Sequence, residues 1–171
     1  MENKPIRTVE LSDERLKKLR RFNLIMGAFH LIQGVLMIVL SNDVKYPIYS
    51  NYLTLDLEQF RLLPSPEVFL ELPFGIAVAI FLLISAVAHF LLGTVFFKWY
   101  GKALRSHKNP VRFFEYALSS SWMIVLIAML TGITDYGALI AMFGVNAAMN
   151  LFGIVMEQLN QYTSKVEWSP F

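Results

Sequence analysis

Four apolar stretches, each near the length of a bilayer core, decide most of what this chain can become. They cover residues 22–40, 73–97, 110–131 and 136–160. A helix rises ~1.5 Å per residue, so even the shortest reaches about 28 Å, against roughly 30 Å of hydrocarbon. In lipid every backbone amide must find its partner inside the protein, and a single apolar run can do that only as a helix. The expected fold class is an all-α membrane protein with four transmembrane helices, forming one transmembrane domain over residues 1–171.

Composition agrees. Hydrophobic residues make up 56 % of the chain and charged residues only 16 %. The charges are also segregated. Thirteen of the fifteen Lys and Arg fall in residues 1–21, in the linker after the second span, or at Arg112 and Lys165; only Lys45 and Arg61 lie on the other side. The positive-inside rule then places the N-terminus in the cytoplasm and the protein in the cell membrane. Basic residues that flank spans read as membrane anchors, so no nucleic-acid partner is expected. With no cysteine, and with His30, His89 and His107 in no HxxxH or HExxH spacing, neither a thiolate nor a metal site is expected. No catalytic constellation is present, and no enzymatic activity is expected.

Between the spans, local signals set the connections. Ser12 can cap a helix whose first turn carries Asp13 and Glu14, and that helix would run through the cytoplasmic segment 1–21 into the first span. Residues 41–72 form the extracellular loop. Its run KYPIYSNYLTLDL holds two short aromatic and β-branched stretches around Ser50-Asn51, which predicts a small β-hairpin turning there. Pro64, Pro66 and Pro73 then bring the chain back to the membrane. KWYGKALRSHK reads as a basic linker, with Trp99 and Tyr100 at headgroup level. Ser169-Pro170 reads as the opening of another helix, so residues 161–171 are expected to begin a truncated continuation.

The third span carries a carboxylate, Glu115, inside its apolar length. A charge at the centre of a membrane helix costs roughly 3 kcal/mol on insertion scales, so such a residue is expected to be functional and partnered. Counting from the cytoplasmic helix ends puts Glu115 about 8 Å deep and both His30 and His89 about 12 Å deep. Arg112 and Glu157 each lie within about one turn of the cytoplasmic ends of spans three and four, and read as a structural ion pair. One turn deeper than the ionisable residues, on the same helix faces, come Gln33, Ser85 and Ser119. Asn146, Met149, Asn150, Gly153 and Glu157 share a stripe on span four. Each has a plainer reading: serines that bond their own helix, asparagines as glue between helices, Met149 as packing, a histidine satisfied in the core.

With these residues in place, the chain resembles a heliorhodopsin, from RRFNLIMGAFHLIQGVLM through HKNPVRFFEYALSSSWMIVLIAMLTG to MFGVNAAMNLFGIVMEQ. The resemblance implies a seven-helix, retinal-binding photoreceptor, signalling or regulatory rather than ion-pumping. Its four spans would be helices one to four. It implies Glu115 as counterion of the retinal Schiff base, His30 and His89 beside it in a polar cavity, and Ser85 and Ser119 close by. Gln33, Asn146 and Met149 match retinal-pocket positions, and Arg112 and Glu157 a cytoplasmic-side network. Expected partners are the lipid bilayer, a second copy in a homodimer, helices five to seven, and an unidentified regulatory protein. Every lysine lies outside the apolar spans, whereas the family carries its Schiff-base lysine on the seventh helix. The chain is therefore expected to be either a fragment or a shortened relative. Two readings stand beside this one: a four-helix membrane scaffold or partner-binding protein without chromophore, and a proton-conducting protein built on Glu115, His30 and His89.

Overall fold

The structure, a computed structural model, describes residues 10–162. The expected continuation beyond the last span lies almost wholly outside these residues. Five helices and one hairpin follow in order: α1 (Asp13–Leu40), β1 (Lys45–Asp56), β2 (Arg61–Pro73), α2 (Phe74–Gly93), α3 (Phe97–Arg105), α4 (Pro110–Leu130) and α5 (Tyr136–Asn160). All but α3 are long and apolar enough to cross a membrane. The protein is thus mostly helical, with membrane-spanning helices and a small two-stranded antiparallel sheet.

Side chains explain the starts of α1, α4 and α5. Ser12 Oγ accepts from the Arg15 amide at 3.3 Å, Asn109 caps α4 through the Arg112 amide at 3.4 Å with Pro110 in the first turn, and Asp135 caps α5. The helices pack in a row, α1 on α2, α2 on α4, α4 on α5. Small residues let α1 and α2 approach: Gly27 sits against Phe90, Gly34 against Leu83, and Gly93 of α2 against Leu24. Ala79 and Ala86, seven residues apart on α2, are each 1 % exposed. Without a hydrophobic drive between helices in lipid, such close packing is a main source of association. The outward faces are apolar and exposed, as at Val39, Leu40, Ile140 and Val145, which suits a lipid surround.

The linker after α2 is not irregular. Phe97–Arg105 coils into α3, with Gly101 against Leu16 of α1 and the Arg20 guanidinium 5.3 Å from the Phe97 ring. Arg20 also donates from Nε to the Gly93 carbonyl, freed at the end of α2, at 2.9 Å.

The hairpin forms, but its turn is not at Ser50-Asn51. Both residues lie mid-strand, paired with Glu67 and Pro66, and the chain reverses at residues 57–60. Asp56 drives that reversal by accepting from the amides of Glu58 and Gln59 at 2.8 and 3.1 Å, an Asx turn; the Asn51 side chain is instead turned to Asp135. Phe60 takes the left-handed conformation at φ 50°. Pro64 and Pro66, read from sequence as a return segment, belong to β2; with one partner per strand, each proline can turn its missing donor to the free edge.

The hairpin's base is tied to the helices. Tyr46, Ile48 and Leu72 pack on a cluster of Val125, Ala128, Met129 and Leu139. The Tyr49 amide donates to the Thr134 carbonyl at 2.8 Å, and Asn51 Nδ2 donates to Asp135 Oδ2 at 2.8 Å. Asp135 also accepts from the Ala138 amide at 2.8 Å. That backbone hydrogen bond first, and Asn51 second, hold its carboxyl below the usual aspartate range. A lowered folded-state pKa stabilises the fold above the ordinary aspartate value, and the contribution is lost as pH falls through the lowered one. Asp135→Asn, which can still cap, is expected to remove this acid-sensitive component. Thermal unfolding of both proteins between neutral and strongly acidic pH checks it.

Candidate functional site

Glu115 stands in the second turn of α4, half-buried, where α4 faces α2. Ser85 of α2 donates to its Oε1 at 2.5 Å, a short hydrogen bond. One turn along α2, His89 stacks on His30 of α1, with ring centroids 5.6 Å apart and planes 16° from parallel. Three helices therefore bring a carboxylate, a hydroxyl and two imidazoles to one level. The small-residue seam between α1 and α2 permits the stack, because it lets two ring-bearing helices lie close.

Cavities meet at this level. One, of about 540 Å³, is lined by His30, Ser85, His89, Glu115, Ser119 and Ser120. A smaller one of about 180 Å³ shares His89 and Glu115 and adds Asn23, Tyr100, Asn109 and Arg112, towards the end of the bundle that carries most of the basic residues. On the far side, an apolar groove between α2 and α4, lined by Leu83, Val87, Phe114 and Leu118, also reaches Glu115. The carboxylate is thus a shared wall of all three.

Elsewhere the polar residues act between helices. Arg112 donates from Nη2 to Glu157 Oε1 at 3.3 Å, and the Asn109 amide donates to Glu157 Oε2 at 2.7 Å, joining the α4 start to the α5 end. Asn146 Nδ2 donates to Ser120 Oγ at 2.9 Å and to Ser121 Oγ at 3.0 Å, while Asn150 Nδ2 reaches Ser120 Oγ at 3.2 Å. Ser120 in turn donates to the Tyr116 carbonyl of its own helix at 2.6 Å. Met149 is 62 % exposed and shares a separate cavity with Asn146, Met142 and Val145. Gln33, half-buried on α1, is not among the residues lining the Glu115 cavity.

Two polar contacts escaped sequence reading. Asn23, 3 % exposed, meets His89 Nδ1 at 2.9 Å through Oδ1, and Trp122 Nε1 donates to the Ala77 carbonyl at 2.7 Å. Asn23 lies seven residues before His30, two helical turns on the same face, and that spacing was the available signal.

Helices long and apolar enough to cross a membrane hold a carboxylate, a hydroxyl and stacked imidazoles, all half-buried, at one level; with the family match that follows, this is an integral membrane protein of rhodopsin-like type. The family model described as Heliorhodopsin matches residues 19–171, and the chain belongs to that family. No curated protein matches it.

Proposed function

We propose that this chain is part of a light-sensing, retinal-binding photoreceptor of heliorhodopsin type, regulatory rather than ion-pumping, with its N-terminus in the cytoplasm. Its four spans would be helices one to four of a seven-helix bundle, acting as a homodimer on a regulatory protein partner. The observation that carries the reading is Glu115 held by Ser85 at 2.5 Å beside the stacked His30 and His89, all on one cavity of about 540 Å³.

The residues fit the counterion half of a retinal site. Lys17, Lys18, Lys45, Lys98, Lys102 and Lys108, the lysines among the described residues, all stand outside the apolar lengths of the helices. In this proposal the lysine that holds the chromophore therefore lies outside residues 10–162. When bound, retinal supplies light absorption and a positive charge that moves on isomerisation. Glu115 would oppose that charge, Ser85 would fix the orientation of its carboxylate, and His30 and His89 would hold a displaced proton on the cavity wall. Ser119 would line the same space. Asn146, on α5, would act through its bonds to the α4 hydroxyls, and the exposed Met149 would be a pocket contact in the complete bundle.

Expressed from its complete reading frame with all-trans-retinal, the protein is expected to show a visible absorption band that moves to the red in Glu115→Gln. Loss of the opposing charge lets the cation delocalise along the polyene. An unshifted band would overturn the counterion role; no band would overturn the retinal reading.

A further inference from the structure

Asn23 and His89 meet side chain to side chain, and their hydrogen bonds admit one arrangement of protons. Asn23 Nδ2 donates to the Leu19 carbonyl at 3.1 Å. A carbonyl only accepts, so the NH₂ end of the amide must face Leu19; turning the amide over would set two acceptor oxygens against each other. The amide oxygen is then what His89 Nδ1 meets at 2.9 Å. An oxygen in that place needs a donor, so Nδ1 carries the hydrogen in the neutral ring and keeps it in the cation. The lone pair is left at Nε2. The same ring is stacked on His30, whose own Nδ1 is buried without a partner among the described residues. The ionisable groups lining the cavities that His89 shares are His30 from α1, Glu115, Tyr116 and Arg112 from α4, and Tyr100 from α3.

We propose that Asn23 is a positioning residue that fixes His89 as the Nδ1–H tautomer, leaving Nε2 as the one ring atom at which His89 takes up and returns a proton. Uptake adds a proton to the Nε2 lone pair and gives the imidazolium; release from the same atom restores the starting tautomer, and the Asn23 bond is intact throughout. Proton exchange at His89 thus has a fixed direction within the bundle. The inference rests on α1 and α2 alone and holds whether or not a chromophore binds.

The test is solid-state NMR of the full chain in lipid bilayers with ¹⁵N-labelled histidine, at a pH where the ring is neutral, with His89→Gln to assign the signal. The expected result is a protonated Nδ1 and an unprotonated Nε2 at His89. Asn23→Leu removes the acceptor and is expected to move the tautomer ratio about tenfold towards Nε2–H, the change that one hydrogen bond of roughly 1.4 kcal/mol gives. The His30 signals should stay in place. A wild-type His89 protonated at Nε2 overturns the proposal without any variant. So does an Asn23→Leu protein with unchanged helix signals and an unchanged tautomer.

Discussion

Gly34→Leu is expected to destabilise the helical bundle by roughly 1–3 kcal/mol, the usual cost of forcing extra carbons into a packed seam. A Cβ at Gly34 would lie 2.9 Å from Leu83 Cδ2 and 3.1 Å from Leu83 Cγ, with Leu82 Cβ at 3.6 Å behind them. Leu83 can yield a few tenths of an ångström to one methyl. It cannot make room for a whole isobutyl group, so α1 must lift from α2. Four residues away, on the same face of α1, is His30, and the lift should part it from His89, now at 5.6 Å. Gly101→Ala is the control. Its Cβ would meet Leu16 Cδ2 at 3.5 Å, an ordinary contact, and alanine suits a helix better than glycine by ~1 kcal/mol. Reversible unfolding in mixed micelles compares the two. Equal stability of Gly34→Leu and wild type would show that the α1–α2 seam is not where the bundle is held.

Asn146→Leu should cost about 1–2 kcal/mol, because hydrogen bonds between membrane helices average roughly 0.6 kcal/mol and reach ~1.7. The substitution removes donors to both Ser120 and Ser121, and Ser121 is 0 % exposed, with no water to replace the lost partner. Ser121→Ala alone should cost less, since Asn146 keeps its bond to Ser120. A double-mutant cycle of the two is expected to be less than additive by about 0.5 kcal/mol or more. Strict additivity would mean that the two side chains do not interact in the folded protein. The result also bears on the reading of Asn146 as a chromophore contact, because an amide committed to α4 hydroxyls has its donors turned away from any ligand.

What could be read from sequence divides along a physical line. Span existence followed from apolar length, and the common depth of His30, His89 and Glu115 followed from counting 1.5 Å steps, because a membrane fixes where helices begin. Depth says nothing about azimuth. Gln33 sits at the right level, yet it is not on the cavity wall with His30. Asn23 was passed over because an asparagine at the start of the first apolar stretch looks like any interfacial polar group until α2 is laid beside it. In the hairpin, the polar pair Ser50-Asn51 interrupts the apolar pattern and so looks like a turn, yet strand pairing runs through it, and the Asx geometry at Asp56 marks the true reversal. Likewise α3 was hidden by its length: nine residues give too short a pattern to separate from a linker.

The hairpin has one more consequence, for how the arm can change length. From Asn51 outwards to the tip, β1 is almost wholly exposed, while the strand's ties to the helices lie at Tyr46, Ile48, Tyr49 and Asn51 itself. Successive side chains point to opposite faces, so inserting or deleting one cross-strand pair inverts every residue beyond it. Two pairs at a time preserve both faces. Arm length is therefore quantised in steps of four residues, two per strand, and the helices beneath need not register the change. Length changes within residues 52–65 are expected in those steps, whereas the interval from Lys45 to Asn51 is tied to Thr134 and Asp135, just ahead of α5, and to the cluster of Val125, Ala128, Met129 and Leu139.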